Sequence, residues 1–370
     1  MSSENNRDIL EKYLLENFDS VRSFTAEEAR KGTIDRYKDG SYGVSNIGFA
    51  LYSNGNNSRG RSSNHPFGLV FEDGETLFSI GYYRKESDPK DSTGYIFVVS
   101  PRGRNATKKI MEFTDAAISD CKIPCKGVYA RFLIREQYDE LLNKGFLSVD
   151  ESHNPWHASA SREDETFSHS LINLDNAIKS NEKLRLASNR FDNFLKRNGL
   201  RYHLRQYRGE EDYEIAKIIV EKHFDMLRKA GKQVGSVPED HYNSIDAKIA
   251  RLDSTIAHLG FLDNLPVSLF VGEKLSDKRV ALYTPFTLRD TMFVFNELGM
   301  NPNETIADKK ERKRGFTAMP AATYLTIFED LEARNFDEVL LGGSELRGLD
   351  DMKRKMGAKS DPSYWAVKLK

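Results

Sequence analysis

Three side chains in the C-terminal quarter of the sequence are candidates for catalysis: Lys353, Glu345 and Tyr283. Transfer of an acyl group to an amine or hydroxyl requires removal of a proton and stabilisation of the charge that develops on a carbonyl oxygen. Lys353 offers a cation for that oxygen or for a donor phosphate, and Glu345 offers a carboxylate that can accept the proton. Each residue also has a purely structural interpretation: a snorkelling lysine, a first-turn carboxylate and a half-buried strand aromatic.

The segment around Lys353 is predicted to fold as a helix, a strand, a sharp turn and a second helix. Residues 321–334 carry apolar side chains at i, i+3, i+4 and i+7, which predicts an amphipathic helix. An apolar strand at 338–341 then ends at Gly342-Gly343, where the backbone can turn sharply or admit a ligand closely. Ser344 can cap the next helix, in which Lys353 lies at the edge of an apolar stripe.

The order of these elements resembles the C-terminal part of acyltransferases with the GNAT (N-acetyltransferase) fold. The match is carried by Leu341-Gly342 at the strand end and by Lys353 and Gly357 in the helix that follows. It is similar to the branch that moves aminoacyl groups from charged tRNA, namely phosphatidylglycerol lysyltransferases and Fem-type peptidoglycan transferases. In that branch the strand also ends in a Leu-Gly pair, and a comparable lysine and glycine run follows.

The resemblance implies a site in the second half of the chain. Tyr283 follows the run Val-Ala-Leu, at the place where transferases of this fold splay two neighbouring strands to receive the donor. We expect catalytic roles for Lys353, Glu345 and Tyr283. We expect donor-binding roles for the glycine turn and for cations that can hold a phosphate: Gly342, Gly343, Ser344, Arg347 and Arg314.

The N-terminal half repeats the same order of elements. Residues 67–85 alternate apolar side chains on both sides of Asp73-Gly74, which predicts a hairpin with a tight turn. A strand at 94–100, a helix with Ile110, Phe113 and Ala117 on one face, and a strand at 128–134 follow. This order again resembles a GNAT domain, so the resemblance implies an α/β (α+β) protein of two tandem GNAT-like domains, each a mixed, mostly antiparallel sheet flanked by helices.

The predicted domain boundary lies in a polar segment near residues 151–180. We therefore expect a degenerate N-terminal GNAT-like domain at 1–165 and a catalytic C-terminal one at 166–370.

The phosphate cradle that GNAT enzymes use for acyl-CoA, Q/R-x-x-G-x-G/A, is not recognisable in either half. After Arg102 both glycine positions are replaced, by Asn105 and Thr107, and the loop at 314–322 (RGFTAMPAA) lacks the spacing. The departure from the pattern favours aminoacyl-tRNA over acetyl-CoA as co-substrate. We expect no tightly bound cofactor.

Composition restricts the class of protein further. The formal charge is −1 with 30% charged residues, so no global basic excess points to nucleic acid, although 309–315 and 104–109 are locally basic. Two cysteines and the scattered His153, His157 and His169 match no metal-ligand spacing, so we expect no metal. No signal peptide or apolar run long enough to span a bilayer is evident, so we expect a cytoplasmic protein.

Several functions remain open at this point. The first is an acyl- or aminoacyltransferase that forms an amide or ester bond on an amine or hydroxyl acceptor, with aminoacyl-tRNA favoured over acetyl-CoA as donor. A second is modification of a nucleic-acid base, with the basic run at 309–315 positioning the polymer. A third is a non-catalytic GNAT-like binding module. No nucleophile elbow, P-loop or dinucleotide fingerprint occurs, which excludes the corresponding hydrolase, NTPase and Rossmann classes.

Overall fold

A computed structural model describes most of the secondary structure of the chain. The described residues are 6–24, 28, 31–37, 69–83, 94–120, 123, 125–149, 169–231, 238, 241–242, 245, 255–283, 285–288, 291–299, 313–342, 347–361 and 363–370. Over this part of the chain the residues form two compact units. The first unit comprises Met1–His169, Ser344–Arg347 and Asp361–Lys370, and the second comprises Ser170–Gly343 and Gly348–Ser360.

The first unit is built on a mixed sheet with the strand order β1-β2-β3-β4-β5-β15-β6. All neighbours in this sheet are antiparallel except β4 and β5, which are parallel. Its strands are β1 (Val21–Ser23), β2 (Leu69–Glu72), β3 (Thr76–Tyr83), β4 (Gly94–Gly103), β5 (Cys125–Leu133), β6 (Leu147–Ser148) and β15 (Tyr364–Leu369). Its helices are α1 (Asn6–Asn17), α2 (Ala106–Ser119) and α3 (Arg135–Asn143), with a 3-10 turn at Asp35–Tyr37.

The predicted elements of the first unit are confirmed. Strands β2 and β3 form the hairpin, and Gly74 in its turn has φ +90°, a conformation that favours glycine. Helix α2 buries Ile110, Phe113 and Ala117 against the sheet, so the apolar spacing identified the packed face.

The second unit is built on a mixed sheet with the strand order β14-β7-β13-β11-β10-β9-β8, and β12 pairs with β10. Strands β11 and β13 are parallel, whereas β13 pairs antiparallel with β7 and β10 pairs antiparallel with β9 and β11. The strands are β7 (His169–Asn173), β8 (Tyr202–Gln206), β9 (Thr255–Leu262), β10 (Leu265–Lys274), β11 (Arg279–Leu282), β12 (Phe286–Thr287), β13 (Glu338–Leu340) and β14 (Lys359–Asp361). The helices are α4 (Leu174–Lys179), α5 (Glu182–Asn198), α6 (Glu210–Lys229), α7 (Thr291–Glu297), α8 (Met319–Ala333) and α9 (Arg347–Lys355).

The two faces of the second sheet pack against different helices. One face, including Leu259, Leu269 and Val271, packs in one core with residues of α6. The other face packs in a second core with α8, which buries the stripe expected from the sequence: Tyr324, Ile327, Phe328 and Leu331. The predicted helix is therefore confirmed. It covers the face of the sheet on which Val280 and Leu282 of β11 and Val339 of β13 are buried.

The two sheets correspond strand by strand when the first is read from β1 to β6 and the second from β8 to β14. The parallel pair β4 and β5 of the first sheet corresponds to β11 and β13 of the second, and in each unit a helix connects that pair, α2 or α8. The prediction of two tandem mixed-sheet domains is confirmed by this correspondence.

The last strand of the chain lies in the first sheet, which differs from the predicted range 166–370 for the second domain. Strand β15 pairs with β5 and β6, with Val367 opposite Tyr129 and Leu147. The apolar run of this segment indicates burial but not the sheet in which the strand lies, because main-chain hydrogen bonds are the same for every partner. The corresponding place in the second sheet is held by β7, between β13 and β14.

Candidate functional site

The central feature of the second unit is a point where two parallel strands separate. The ladder between β11 and β13 ends at the pair Ala281 and Leu340. Beyond it, the amide of Tyr283 donates to the carbonyl of Val271 at 2.9 Å, on the side of β10. The amide of Leu341 instead donates to the carbonyl of Ser170 at 2.8 Å, on the side of β7. Each strand therefore stays bonded to its outer neighbour after the ladder between the two strands has ended, and we call this point the opening between β11 and β13.

Lys353 lies at the β13 side of this opening. Its side chain is 4% exposed, and Nζ donates to the carbonyl oxygen of Gly342 at 2.8 Å. The same oxygen accepts the amide of Ser170 at 3.0 Å. The snorkelling interpretation of Lys353 is therefore wrong, because the ammonium is bonded inside the protein and not in water. Whether Lys353 acts in catalysis stays a prediction.

The backbone at Gly342 explains why glycine occupies the end of this strand. Its φ of +68° lies in the left-handed region, where side chains with a Cβ are strained. This conformation points the Gly342 carbonyl toward α9, where the Lys353 ammonium meets it. A buried ammonium is tolerated only when it is hydrogen-bonded, so the glycine turn and the lysine depend on each other.

The corresponding opening in the first unit is bridged by a side chain. The ladder of β4 and β5 ends at Val99 and Arg131, and the next residues, Ser100 and Phe132, have φ of 52° and 57°. The guanidinium of Arg102 donates through Nη1 to the carbonyl of Phe132 at 3.2 Å, so a side chain of β4 reaches β5. Arg102 is buried, so this bridge between the strands lies inside the protein.

The two openings thus use a buried cation in different ways. In both units a carbonyl of a positive-φ residue at the strand end, Phe132 or Gly342, accepts a hydrogen bond from a cation. In the first unit the cation comes from the opposite strand and crosses the gap. In the second unit it comes from α9, on the same side of the gap as the carbonyl, so the gap is not crossed by it. In the second unit, therefore, this cation does not link the two strand ends.

The loops that correspond to an acyl-CoA cradle are occupied by internal contacts. In the second unit the amide of Thr317 donates to Lys313 and the amide of Ala318 donates to Gly315, so these groups are used inside the turn. A Cβ at Gly315 would lie 2.6 Å from Cβ of Phe194, so this glycine permits close packing against α5. In the first unit Asn105 has φ 63° at the start of α2 and provides no side-chain cap.

The remaining predicted site residues have different outcomes. Tyr283 is half-buried directly after β11, beside the opening. Arg314 is exposed in the short helical segment 313–316, before α8. Arg347 begins α9, but its side chain is not among those described. Gly343, Ser344 and Glu345 lie outside the described residues, so their predicted roles stay predictions.

One polar cluster around a buried histidine was not found from the sequence. His258 of β9 is 5% exposed, and its Nε2 lies 3.2 Å from Nη2 of Arg334 and 3.7 Å from Oδ2 of Asp330. Burial lowers the pKa of His258 below its ordinary value, and the nearby Asp330 carboxylate opposes this effect. A histidine at an inward position of a strand has no distinguishing spacing, so no sequence signal marks it.

Two further observations concern metal binding and membrane-spanning helices. Among the described residues, no group of three or more His, Cys, Asp or Glu side chains is arranged to hold a metal ion. Of the three histidines considered for a metal, His169 is buried with its ring centroid 5.0 Å from that of Phe132, and His153 and His157 lie outside the described residues. None of the helices described has the length and apolar character needed to cross a membrane.

Comparison with known proteins bears on the fold. No family model matches this sequence. A search of curated proteins finds no match. A solved structure of a conserved protein of unknown function from Bacteroides thetaiotaomicron is similar, with TM-score 0.59 and 9% identity over 95% of this chain and 99% of that one.

A second similar solved structure comes from the transferase branch that this sequence resembles. It is the C-terminal domain of a proposed lysylphosphatidylglycerol synthetase from Agrobacterium fabrum, with TM-score 0.53 and 10% identity over 93% of this chain and 92% of that one. The chain has a tandem GNAT-like fold, as its residues suggested. At such low identity the likeness concerns the fold alone.

Proposed function

We propose that this protein is an acyl- or aminoacyltransferase whose site is the opening between β11 and β13. The observation that carries the proposal is the ladder that ends at Ala281 and Leu340 beside a carbonyl held by the buried Lys353. Separated parallel strands expose main-chain groups to a ligand, and a fixed cation beside them can stabilise developing negative charge. In the first unit, by contrast, the side chain of Arg102 bridges the two strands.

In the proposed reaction the acceptor amine or hydroxyl attacks the carbonyl carbon of an activated ester. A carboxylate, for which we propose Glu345, accepts the proton of the attacking group. The positive charge of Lys353 stabilises the carbonyl oxygen while the bond to the donor breaks, and the released donor hydroxyl takes up a proton. The hydrogen bond from Lys353 to Gly342 meanwhile holds the strand end in place.

For donor binding we propose the turn at Gly342, Gly343 and Ser344, with Arg347 and Arg314 as partners for phosphate. Tyr283 follows β11 on the opposite side of the opening, where it can contact the acyl group. The proposed donor is aminoacyl-tRNA. What supports this choice over acetyl-CoA is the use of the amides of Thr317 and Ala318 inside their own turn, which removes donors that a pyrophosphate would need.

A second candidate function applies to the first unit. The bridge formed by Arg102 supports a non-catalytic role for this unit, in shaping or docking the acceptor. Under this proposal the first unit contributes to acceptor affinity and not to the chemical step.

The test is a donor-consumption assay. Purified protein is incubated with labelled aminoacyl-tRNAs and, separately, with labelled acetyl-CoA, across a panel of lipid, peptide and nucleic-acid acceptors. We expect acceptor-dependent loss of aminoacyl-tRNA. Loss of acetyl-CoA alone would identify an acetyltransferase, and transfer only to nucleic acid would identify base modification. No consumption of either donor with any acceptor would refute the transferase proposal.

A matched pair of variants ties the activity to the site. Lys353→Met removes the buried ammonium, and Lys355→Met removes an exposed ammonium from the same helix. We expect the first change to lower turnover by about 10²-fold and the second to leave it within about twofold. Equal turnover in both variants would indicate that the reaction does not take place beside Lys353.

A further inference from the structure

We propose that His258, Asp330 and Arg334 form a proton-responsive contact between β9 and the end of α8, in which protonation of the ring exchanges its partner from Arg334 to Asp330. We call these three residues the histidine cluster. They lie on β9 and at the end of α8, and none of them belongs to the opening between β11 and β13. The inference therefore does not depend on the proposed function.

The ring of His258 lies between the second sheet and α8. In the ladder of β9 and β10, His258 is opposite Phe270. Residues opposite each other in an antiparallel pair project from the same face of the sheet. Phe270 packs against Tyr324 of α8, with ring centroids 5.4 Å apart, so His258 faces the same helix. His258 is 5% exposed, which leaves its ring dependent on protein partners.

In the neutral state one guanidinium links the ring to a carboxylate. Nη2 of Arg334 lies 3.2 Å from Nε2 of His258. A guanidinium can only donate, so Nε2 accepts and the proton of the neutral ring is on Nδ1. Nη2 of Arg334 also donates to Oδ1 of Asp330 at 3.3 Å, and its Nε lies 3.0 Å from Oδ2.

Protonation of the ring reverses the preference between these two neighbours. A protonated imidazole donates through both nitrogens and accepts nothing, so the contact with Arg334 becomes one between two cationic donors. Oδ2 of Asp330 lies 3.7 Å from Nε2, and among the described residues it has no hydrogen-bond donor of suitable direction. A movement of roughly 1 Å would bring these two atoms within hydrogen-bond distance.

Arg334 can leave the ring at little cost. Its side chain is 41% exposed, so the guanidinium can turn into water without losing its hydration. Asp330 keeps a positive partner throughout, because the protonated ring replaces the guanidinium. The exchange therefore leaves no buried charge without a counter-charge.

The strands beside β9 place no further charge next to the ring. The residues opposite His258 are Gln206 in β8 and Phe270 in β10, neither of which titrates. The nearest charged residue of β8 in sequence, Arg205, instead donates to both carboxylate oxygens of Asp212, at 2.8 and 2.7 Å.

On α8, the charged groups that face the ring are Asp330 and Arg334. Burial has the largest effect and lowers the pKa of His258, while the Asp330 carboxylate raises it and the Arg334 guanidinium lowers it. The net direction is downward from the ordinary value of 6.5. The ring is therefore neutral at pH 7, and the exchange takes place under acidic conditions.

The exchange acts on the residue at which α8 ends. The amide of Arg334 donates to the carbonyls of Asp330 and Leu331 at 3.2 and 3.1 Å. Asn335 then adopts a left-handed φ of 66°, and β13 begins at Glu338. When Arg334 leaves His258, this end of α8 loses its side-chain link to β9. We expect the last turn of α8 to open locally more often once the ring is protonated.

The first test is an NMR titration of protein with labelled histidine, in which His258 is assigned through His258→Gln. At neutral pH we expect the tautomer protonated on Nδ1. Arg334→Gln should raise the pKa of His258, and Asp330→Asn should lower it further. The control variants Arg135→Gln and Asp139→Asn break an ion pair of the same i,i+4 spacing in the first unit, and should leave this pKa unchanged.

The second test is hydrogen exchange of the amides at 334–336, expressed as protection factors so that the intrinsic effect of pH is removed. Between about pH 7.5 and pH 5 we expect protection in the unaltered protein to fall by at least about tenfold, because a hydrogen bond to a charged group is lost. Arg334→Gln should show the lower protection at both pH values. His258→Gln should show no step with pH, and if it does not fold, Arg334→Gln decides the outcome.

Several results would overturn the inference. A neutral ring protonated on Nε2 would contradict the hydrogen bond from Arg334. Shifts of the His258 pKa in the same direction in Arg334→Gln and Asp330→Asn, or equal shifts in the control variants, would contradict the exchange of partners. Protection at 334–336 that does not change with pH would show that the end of α8 does not respond. None of these measurements uses a donor or an acceptor, so failure of the proposed function would leave them unaffected.

Discussion

The replacement Lys353→Met tests the site most directly. Methionine keeps the length and the apolar part of the side chain, so the change removes the ammonium without a large cavity. The lost interaction is a buried, charge-assisted hydrogen bond of 2.8 Å to the carbonyl of Gly342. Hydrogen bonds to charged groups contribute roughly 1.5–3 kcal/mol to stability.

Two effects reduce the expected loss. The carbonyl of Gly342 keeps the amide of Ser170 at 3.0 Å, so it is not left without a partner. The variant also avoids the cost of burying a charge. We therefore expect a loss of about 1–2 kcal/mol in the free energy of unfolding, which is a decrease of roughly 3–6 °C in Tm for a unit of this size.

The assay measures thermal unfolding and transfer from the identified donor on the same preparations. Turnover should fall by about 10²-fold, more than the stability change explains, because a charge-stabilising donor is lost at the transition state. The exposed Lys355→Met variant serves as the control for both measurements. Unchanged stability would contradict the buried hydrogen bond, and a stability loss with unaltered turnover would make Lys353 a structural residue only.

Further predictions concern three other positions. Arg102→Met should destabilise the first unit by about 1–3 kcal/mol, because it removes the hydrogen bond to Phe132, yet transfer should stay within about twofold; a large loss of turnover would place chemistry in the first unit. Gly315→Ala should cost about 1–3 kcal/mol in thermal unfolding, since the new Cβ would overlap Phe194, and an unchanged Tm would contradict the packing. His258 is kept neutral by burial, so its folded pKa is lowered and the unfolded chain binds more protons below about pH 6.5. Stability should therefore fall as the pH drops below that value, and urea midpoints at about pH 7.5 and 5.5 should differ less in His258→Gln.

Features that depend on neighbouring residues in the chain were predictable from the sequence. The hairpin at Asp73-Gly74 follows from alternation of apolar residues around a turn pair. Helix α8 follows from apolar spacing, and the same spacing identified its buried face. The tandem arrangement follows because the same order of elements occurs twice, and the two strand orders correspond.

Features that depend on contacts between distant residues were decided by the tertiary structure. The helical spacing placed Lys353 at the edge of a stripe, but its burial depends on a carbonyl eleven positions away that Gly342 turns toward it. Arg102 matched the first position of a phosphate cradle, yet it bridges β4 and β5 because those strands separate at that level. Strand β15 lies between β5 and β6 of the first sheet, a position that main-chain hydrogen bonding alone does not select, so it depends on side-chain packing that the local sequence does not specify.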